Sequence, residues 1–173
     1  MLFIALNVLQ YSADRISAWR DPFADSGDTG YQIVQSLYAI GSGGLFGLGL
    51  GQSRQKYLYL PEEHNDFIFS VICEELGFIG AGLILILFAL LIVRGYWLAM
   101  HCRDRYSFLV CVGITSLLAI QVILNVAVCT NLIPCTGISL PFFSYGGTAL
   151  LMQMAEMGII LSVSRDIPDA RTD

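Results

Sequence analysis

The stretch LPEEHNDFIFSVICEELGFIG, Leu60 to Gly80, decides the fold. It passes from a run of polar and charged residues, Glu62 to Asp66, straight into an apolar segment. Farther on, Leu76 to Val93 is uninterrupted by polar groups; as a helix these ~18 residues span ~27 Å, nearly a full bilayer core. Glu74 and Glu75 then fall near the membrane boundary. If the helix continues upward from them, Asp66 stands roughly 12–14 Å higher, in an aqueous vestibule. There a carboxylate can reach the water-soluble head group of a membrane-held substrate.

Composition points the same way. Of the 173 residues, 55% are hydrophobic and 13% charged, and the mean hydropathy is +0.67. Soluble domains carry about a quarter charged residues, so a membrane protein is expected. A net charge of -5 and the lack of any Lys/Arg run argue against a nucleic-acid partner. Two further segments, 106–128 and 147–164, join 66–94 as membrane helices. The loop 95–105 holds Arg94, Arg103 and Arg105 at or near its ends, the tail 165–173 holds Arg165 and Arg171, and 129–146 holds no Lys or Arg. The positive-inside bias therefore places 95–105 and the C-terminal tail in the cytoplasm, and 129–146 outside or re-entrant. Segment 11–65 becomes a large extracytoplasmic loop. MLFIALNVLQ, residues 1–10, lacks the features of a signal peptide and spans only ~15 Å. It reads as the end of a membrane helix whose beginning is missing, and the chain as a fragment.

Within the outer loop, YQIVQSLYAI (Tyr31–Ile40) has near-helical apolar spacing, as in a short helix at the interface. GSGGLFGLGLG (Gly41–Gly51) is no dinucleotide fingerprint, since Phe46 stands where that motif needs glycine. Its glycines suit tight turns or close backbone approach. Between Asn131 and Gly147, Pro134, Gly137, Pro141 and Gly146 forbid a regular helix, so a loop packed on protein is expected. Inside the membrane, Gln121 with Asn125 and Gln153 with Glu156 share helix faces; interhelical hydrogen bonding is the commoner use of such amides. Of the five cysteines, Cys129 and Cys135 can bridge if their loop faces an oxidising side, though such thiols usually act as small hydrophobes. His64 and His101 form no zinc pattern.

Asp66 has two readings. Asn65 or Asp66 can simply cap the following helix, a common use of these residues. Alternatively Asp66 does chemistry, with Arg54 and Lys56 upstream as cations suited to a phosphate. Ser144 and Tyr145 can wall a lipid groove, or belong to a tight connection.

LPEEHNDFIFSVICEELGFIG, preceded by YQIVQSLYAIGSGGLFGLGLGQSRQK and followed by LIPCTGISLPFFSYGG, resembles the SEDS family of bacterial membrane glycosyltransferases. The likeness runs from Trp19 to Arg165 and is nearer the FtsW and SpoVE members than RodA. It implies an all-α polytopic membrane protein, this chain being the C-terminal part of a ten-helix bundle in the bacterial plasma membrane. It implies polymerisation of lipid II into glycan strands, with a class B penicillin-binding protein and divisome or sporulation proteins as partners. The family's essential aspartate falls on Asp66, with Asn65 where Thr is usual. Asp66 would be the general base, and Lys56, Arg54, Glu62, His64, Ser144 and Tyr145 would contact substrate. No metal ligand set is legible, but oxygen-ligand chemistry allows a divalent cation, Mg or Mn, between phosphate and carboxylate. Competing readings are a lipid II flippase and a truncated, inactive scaffold.

Overall fold

The computed structural model describes residues 15–23, 28–52, 66–144 and 146–165. Its helices are α1 (Asp28–Gly43), α2 (Ile68–Met100), α3 (Arg105–Cys129) and α4 (Gly147–Arg165), with a shorter helical segment at 15–20. No strand occurs among the described residues. Among the described residues three helices, α2 to α4, are long and apolar enough to cross a membrane.

The membrane helix expected at 66–94 differs in detail. It runs from Ile68 to Met100 and is broken at Gly77, whose φ of 68° and ψ of -172° leave the helical region. A straight helix of that length would measure ~50 Å, far more than a bilayer core. The break leaves Phe78–Met100, ~35 Å, to cross the membrane. Ile68–Leu76 becomes a separate short helix, so the continuous climb that sets Asp66 directly above the span does not occur. Glu74 is not at a wet boundary either; it is buried, at 1% exposure.

A broken helix in an apolar setting leaves carbonyls and N–H groups that need partners. The glycine-rich loop after α1 supplies them. Leu48 N–H donates to the Glu74 carbonyl (2.9 Å) and Gly49 N–H to that of Glu75 (3.0 Å). In return, Phe78 N–H donates to Gly44 O (2.9 Å) and Ile79 N–H to Leu45 O (3.2 Å). The two backbones interlock so closely that a Cβ on Gly47 would collide with the Glu75 carbonyl, and one on Gly77 with Gly47 N. Both glycines also have positive φ, 78° and 68°. The run GSGGLFGLGLG is thus a backbone splint for the break in α2.

The other ends follow from local sequence. Asp104 caps α3, its Oδ2 accepting from Ser107 N (3.0 Å) and Ser107 Oγ (3.0 Å). The Ser107 backbone bond, then the hydroxyl, hold that carboxyl below its ordinary pKa. At the far end Asn131 takes a left-handed φ of 57°. Asn131 N bonds to Val128 O and Leu132 N to Ala127 O, a Schellman cap with asparagine in the glycine position. On α1, Ile33, Ser36 and Ala39 form the buried stripe, and Ser36 Oγ donates to the Cys129 carbonyl at the end of α3 (2.9 Å).

Consecutive spanning helices alternate in direction, which gathers two ends. One holds Phe67, Phe69, Cys73, Cys129, Cys135 and Leu140 in a common core. The other packs Leu98 and Ala99 of α2 with Cys111 of α3 and Ile160 of α4. At this second end Arg94 lies over Trp97 (4.2 Å to the ring centroid), which stacks on His101 (4.1 Å). Such an aromatic and cationic cluster suits a membrane interface. Cys129 and Cys135 are both buried and both free thiols, so the bridge considered between them is absent.

Candidate functional site

Asp66 lies two residues before the first residue of α2. The N-cap position falls on Phe67, which has no capping side-chain bond, so Asp66 does not occupy the capping place; Asn65 lies outside the described residues. The turn is held by local bonds and by packing. Phe67 and Phe69 are buried in the core, and Ser70 Oγ donates to the Phe67 carbonyl at 2.7 Å. The Asp66 carbonyl accepts from Asn125 Nδ2 of α3 at 2.8 Å and, weakly, from Cys129 Sγ at 3.8 Å. Asp66 itself is half-buried.

The loop between α3 and α4 meets it there. After the Schellman cap the chain runs without helix to Ser144. Arg15 Nη1 donates to the Cys135 carbonyl (2.8 Å) and Trp19 Nε1 to that of Asn131 (3.1 Å), fastening the segment at 15–20 onto this block. Asn125 Nδ2 also donates to the Ile138 carbonyl (2.8 Å). Beside it, Gly137 has φ 71°, and a Cβ built on it would lie 3.5 Å from Asp66 Oδ2. The carboxylate therefore stands over a glycine, in a space side chains would narrow. Gly137→Ala is expected to cost ~1–2 kcal/mol through left-handed strain alone. The measurement is a melting temperature in detergent; an unchanged value would show that the segment readily changes conformation.

Beyond Gly137, Leu140 and Pro141 are buried, and Phe142 has φ 65°. Its N–H donates to Gln153 Oε1 of α4 (2.8 Å), which pins the turn to that helix. The rings of Phe142 and Phe143 lie 6.5 and 6.1 Å from that of Phe88. Ser144 is half-buried and its N–H donates to the Leu140 carbonyl at 3.2 Å. Lys56, Arg54, Glu62, His64 and Tyr145, named from sequence as substrate contacts, lie outside the described residues, as does Glu63.

Sequence reasoning singled out Asn125 and Gln153 only as membrane amides. Both are spent on the backbone of the loops around Asp66. Gly77 escaped notice, although a glycine inside an apolar helical run is a signal for a break; Gly137 was read only as a helix breaker and not as a neighbour of Asp66.

The comparisons with known proteins agree on one group. Residues 1–168 match the family model FtsW/RodA/SpoVE, described as cell cycle protein. Stage V sporulation protein E of Bacillus subtilis (strain 168) is 54% identical over 155 residues, covering 90% of this chain and 42% of that protein. The probable peptidoglycan glycosyltransferase FtsW of the same organism is 45% identical over 150 residues, covering 87% and 37%. Among solved structures, one described as a peptidoglycan synthase complex coordinating polymerization and crosslinking superposes with a TM-score of 0.73 at 30% identity, over 97% of this chain and 49% of that one. The Thermus thermophilus rod shape determining protein RodA gives 0.58 at 39% identity, over 76% and 39%. The chain spans about two-fifths of the length of the two Bacillus subtilis relatives.

Proposed function

Because the chain belongs to the FtsW/RodA/SpoVE family, we propose that it serves in polymerising lipid II into glycan strands, with Asp66 as the general base. One observation carries this reading. A half-buried carboxylate is held where three distant stretches converge: the start of α2, the end of α3 and Gly137. The name of the probable glycosyltransferase relative supplies the reaction class.

In the proposed step, the 4-hydroxyl oxygen of one lipid II sugar attacks the anomeric carbon of another. The bond from that carbon to pyrophosphate breaks, undecaprenyl pyrophosphate leaves with the electron pair, and Asp66 takes the hydroxyl proton. Lys56 and Arg54 are proposed to face the leaving pyrophosphate, with Glu62, His64, Ser144 and Tyr145 around the sugars. A divalent cation, Mg or Mn, enters only as added positive charge on the phosphates. Among the described residues no group of three or more His, Cys, Asp or Glu could hold a metal.

The Asp66 end is proposed to face outward and the Arg94–Arg105 end and C-terminus the cytoplasm, in the bacterial plasma membrane, by the positive-inside bias. A class B penicillin-binding protein is the proposed partner, since one matched structure is described as a peptidoglycan synthase complex that coordinates polymerization and crosslinking. Divisome or sporulation proteins would complete the assembly. The flippase alternative drew on polar groups in the membrane, and two of them, Asn125 and Gln153, are occupied with loop backbone.

The test is polymer formation from lipid II without ATP or an ion gradient. It is run on the purified chain and on a chimera in which the chain replaces the matching part of the sporulation relative. Glycan strands from the chimera are expected. Movement of lipid II across vesicles with no polymer would overturn the proposal.

A further inference from the structure

We propose that Asn125 is a positioning residue for Asp66, an inference that rests on the reading of Asp66 as the base. Asn125 is fully buried, at 0% exposure, one turn before the end of α3. Its amide nitrogen has two hydrogens, and both are used at 2.8 Å, one on the Asp66 carbonyl and one on the Ile138 carbonyl. These two acceptors belong to separate loops, 59 and 13 residues from Asn125 in sequence. One side chain therefore sets the separation of the two backbones that flank the carboxylate. Its Oδ1 lies 3.9 Å from Cys129 Sγ, whose single hydrogen also faces the Asp66 carbonyl at 3.8 Å; the two carbonyl acceptors fix the amide with its nitrogen toward the loops.

Phe67, in the N-cap position, makes no side-chain cap bond, and the local bonds of the turn run from Ser70 N and Oγ to the Phe67 carbonyl. The amide thus does from α3 what a cap would do from the sequence beside it. A proton acceptor displaced by about 1 Å loses on the order of 100-fold in rate without a matching loss of substrate binding. That split separates positioning from a general loss of folding.

The test uses the lipid II polymerisation assay on the chimera described above. Asn125→Leu removes both donors at similar volume, and Asn125→Asp keeps the shape while turning at least one donor into an acceptor. Both are expected to lower kcat ~100-fold with KM within ~2-fold. Asp66→Glu keeps a carboxylate already out of place, so adding Asn125→Leu to it should lower kcat by less than ~5-fold. Wild-type kcat in both Asn125 variants, while Asp66→Asn is inactive, would overturn this inference and leave the reading of Asp66 standing. Full additivity with Asp66→Glu would overturn it equally, by showing that Asn125 acts elsewhere. Wild-type kcat in Asp66→Asn would instead remove the base, and this inference with it.

Discussion

Asp66→Asn is expected to lower the rate of lipid II polymerisation by ~10²–10⁴-fold, the usual worth of a positioned general base. The replacement is nearly isosteric and removes the one property at issue, the ability to take a proton. It leaves the backbone that Asn125 and Cys129 contact, because both bond to the Asp66 carbonyl and not to its carboxylate. Gly137 continues to leave the same space beside the side chain. Melting temperature should therefore stay close to that of the parent while product disappears. A mutant that is both inactive and much less stable would mean the carboxylate holds the loop together. A stable mutant with the parent rate would remove Asp66 from catalysis.

Gly77→Ala should have the largest effect on folding, ~3–5 kcal/mol. Its φ of 68° costs an alanine ~1–2 kcal/mol before any contact is counted. The new Cβ would also meet Gly47 N and Leu45 O, which are backbone atoms and cannot rotate aside. Relief requires the loop to withdraw, and with it the four bonds that Leu48, Gly49, Phe78 and Ile79 donate across the break. Each is worth ~0.5–1.5 kcal/mol net. Gly47→Ala meets the same obstacle from the other side, against the Glu75 carbonyl. Gly82→Ala is the control: it lies within α2 with nothing inside 4 Å of the added carbon. Thermal unfolding of the three proteins in one detergent separates these cases. Equal melting temperatures would show that the splint at Gly77 can be dismantled at no cost.

The break also bears on activity. Ile68–Leu76 carries the turn with Asp66, and its far end is held by Leu48 and Gly49. Releasing that hold would let the short helix swing and move the carboxylate.

Much of this was legible in the amino-acid order. Three spans followed from length and hydropathy, because a bilayer core admits only helices with internally satisfied backbone. The non-helical course of 131–146 followed from Pro134, Gly137 and Pro141. The place of Asp66 at the head of α2 followed from the abrupt change at Glu62–Asp66. Less legible was the use of the polar groups inside the membrane. Asn125 reads in sequence as one more buried amide, and nothing local says that its partners are Asp66 and Ile138.

The sequence by itself therefore determined the class of protein, the number of its apolar spans and the carboxylate at the head of one of them. All of these depend on transfer of residues between water and lipid, a quantity each segment carries alone. Only the tertiary structure decided that the first span breaks at Gly77, that Phe67 and not Asp66 takes the N-cap position, and that Asn125 joins the loops. Those outcomes depend on which backbone donor meets which carbonyl across 13 to 59 residues of chain, and such pairings exist only once the helices have packed.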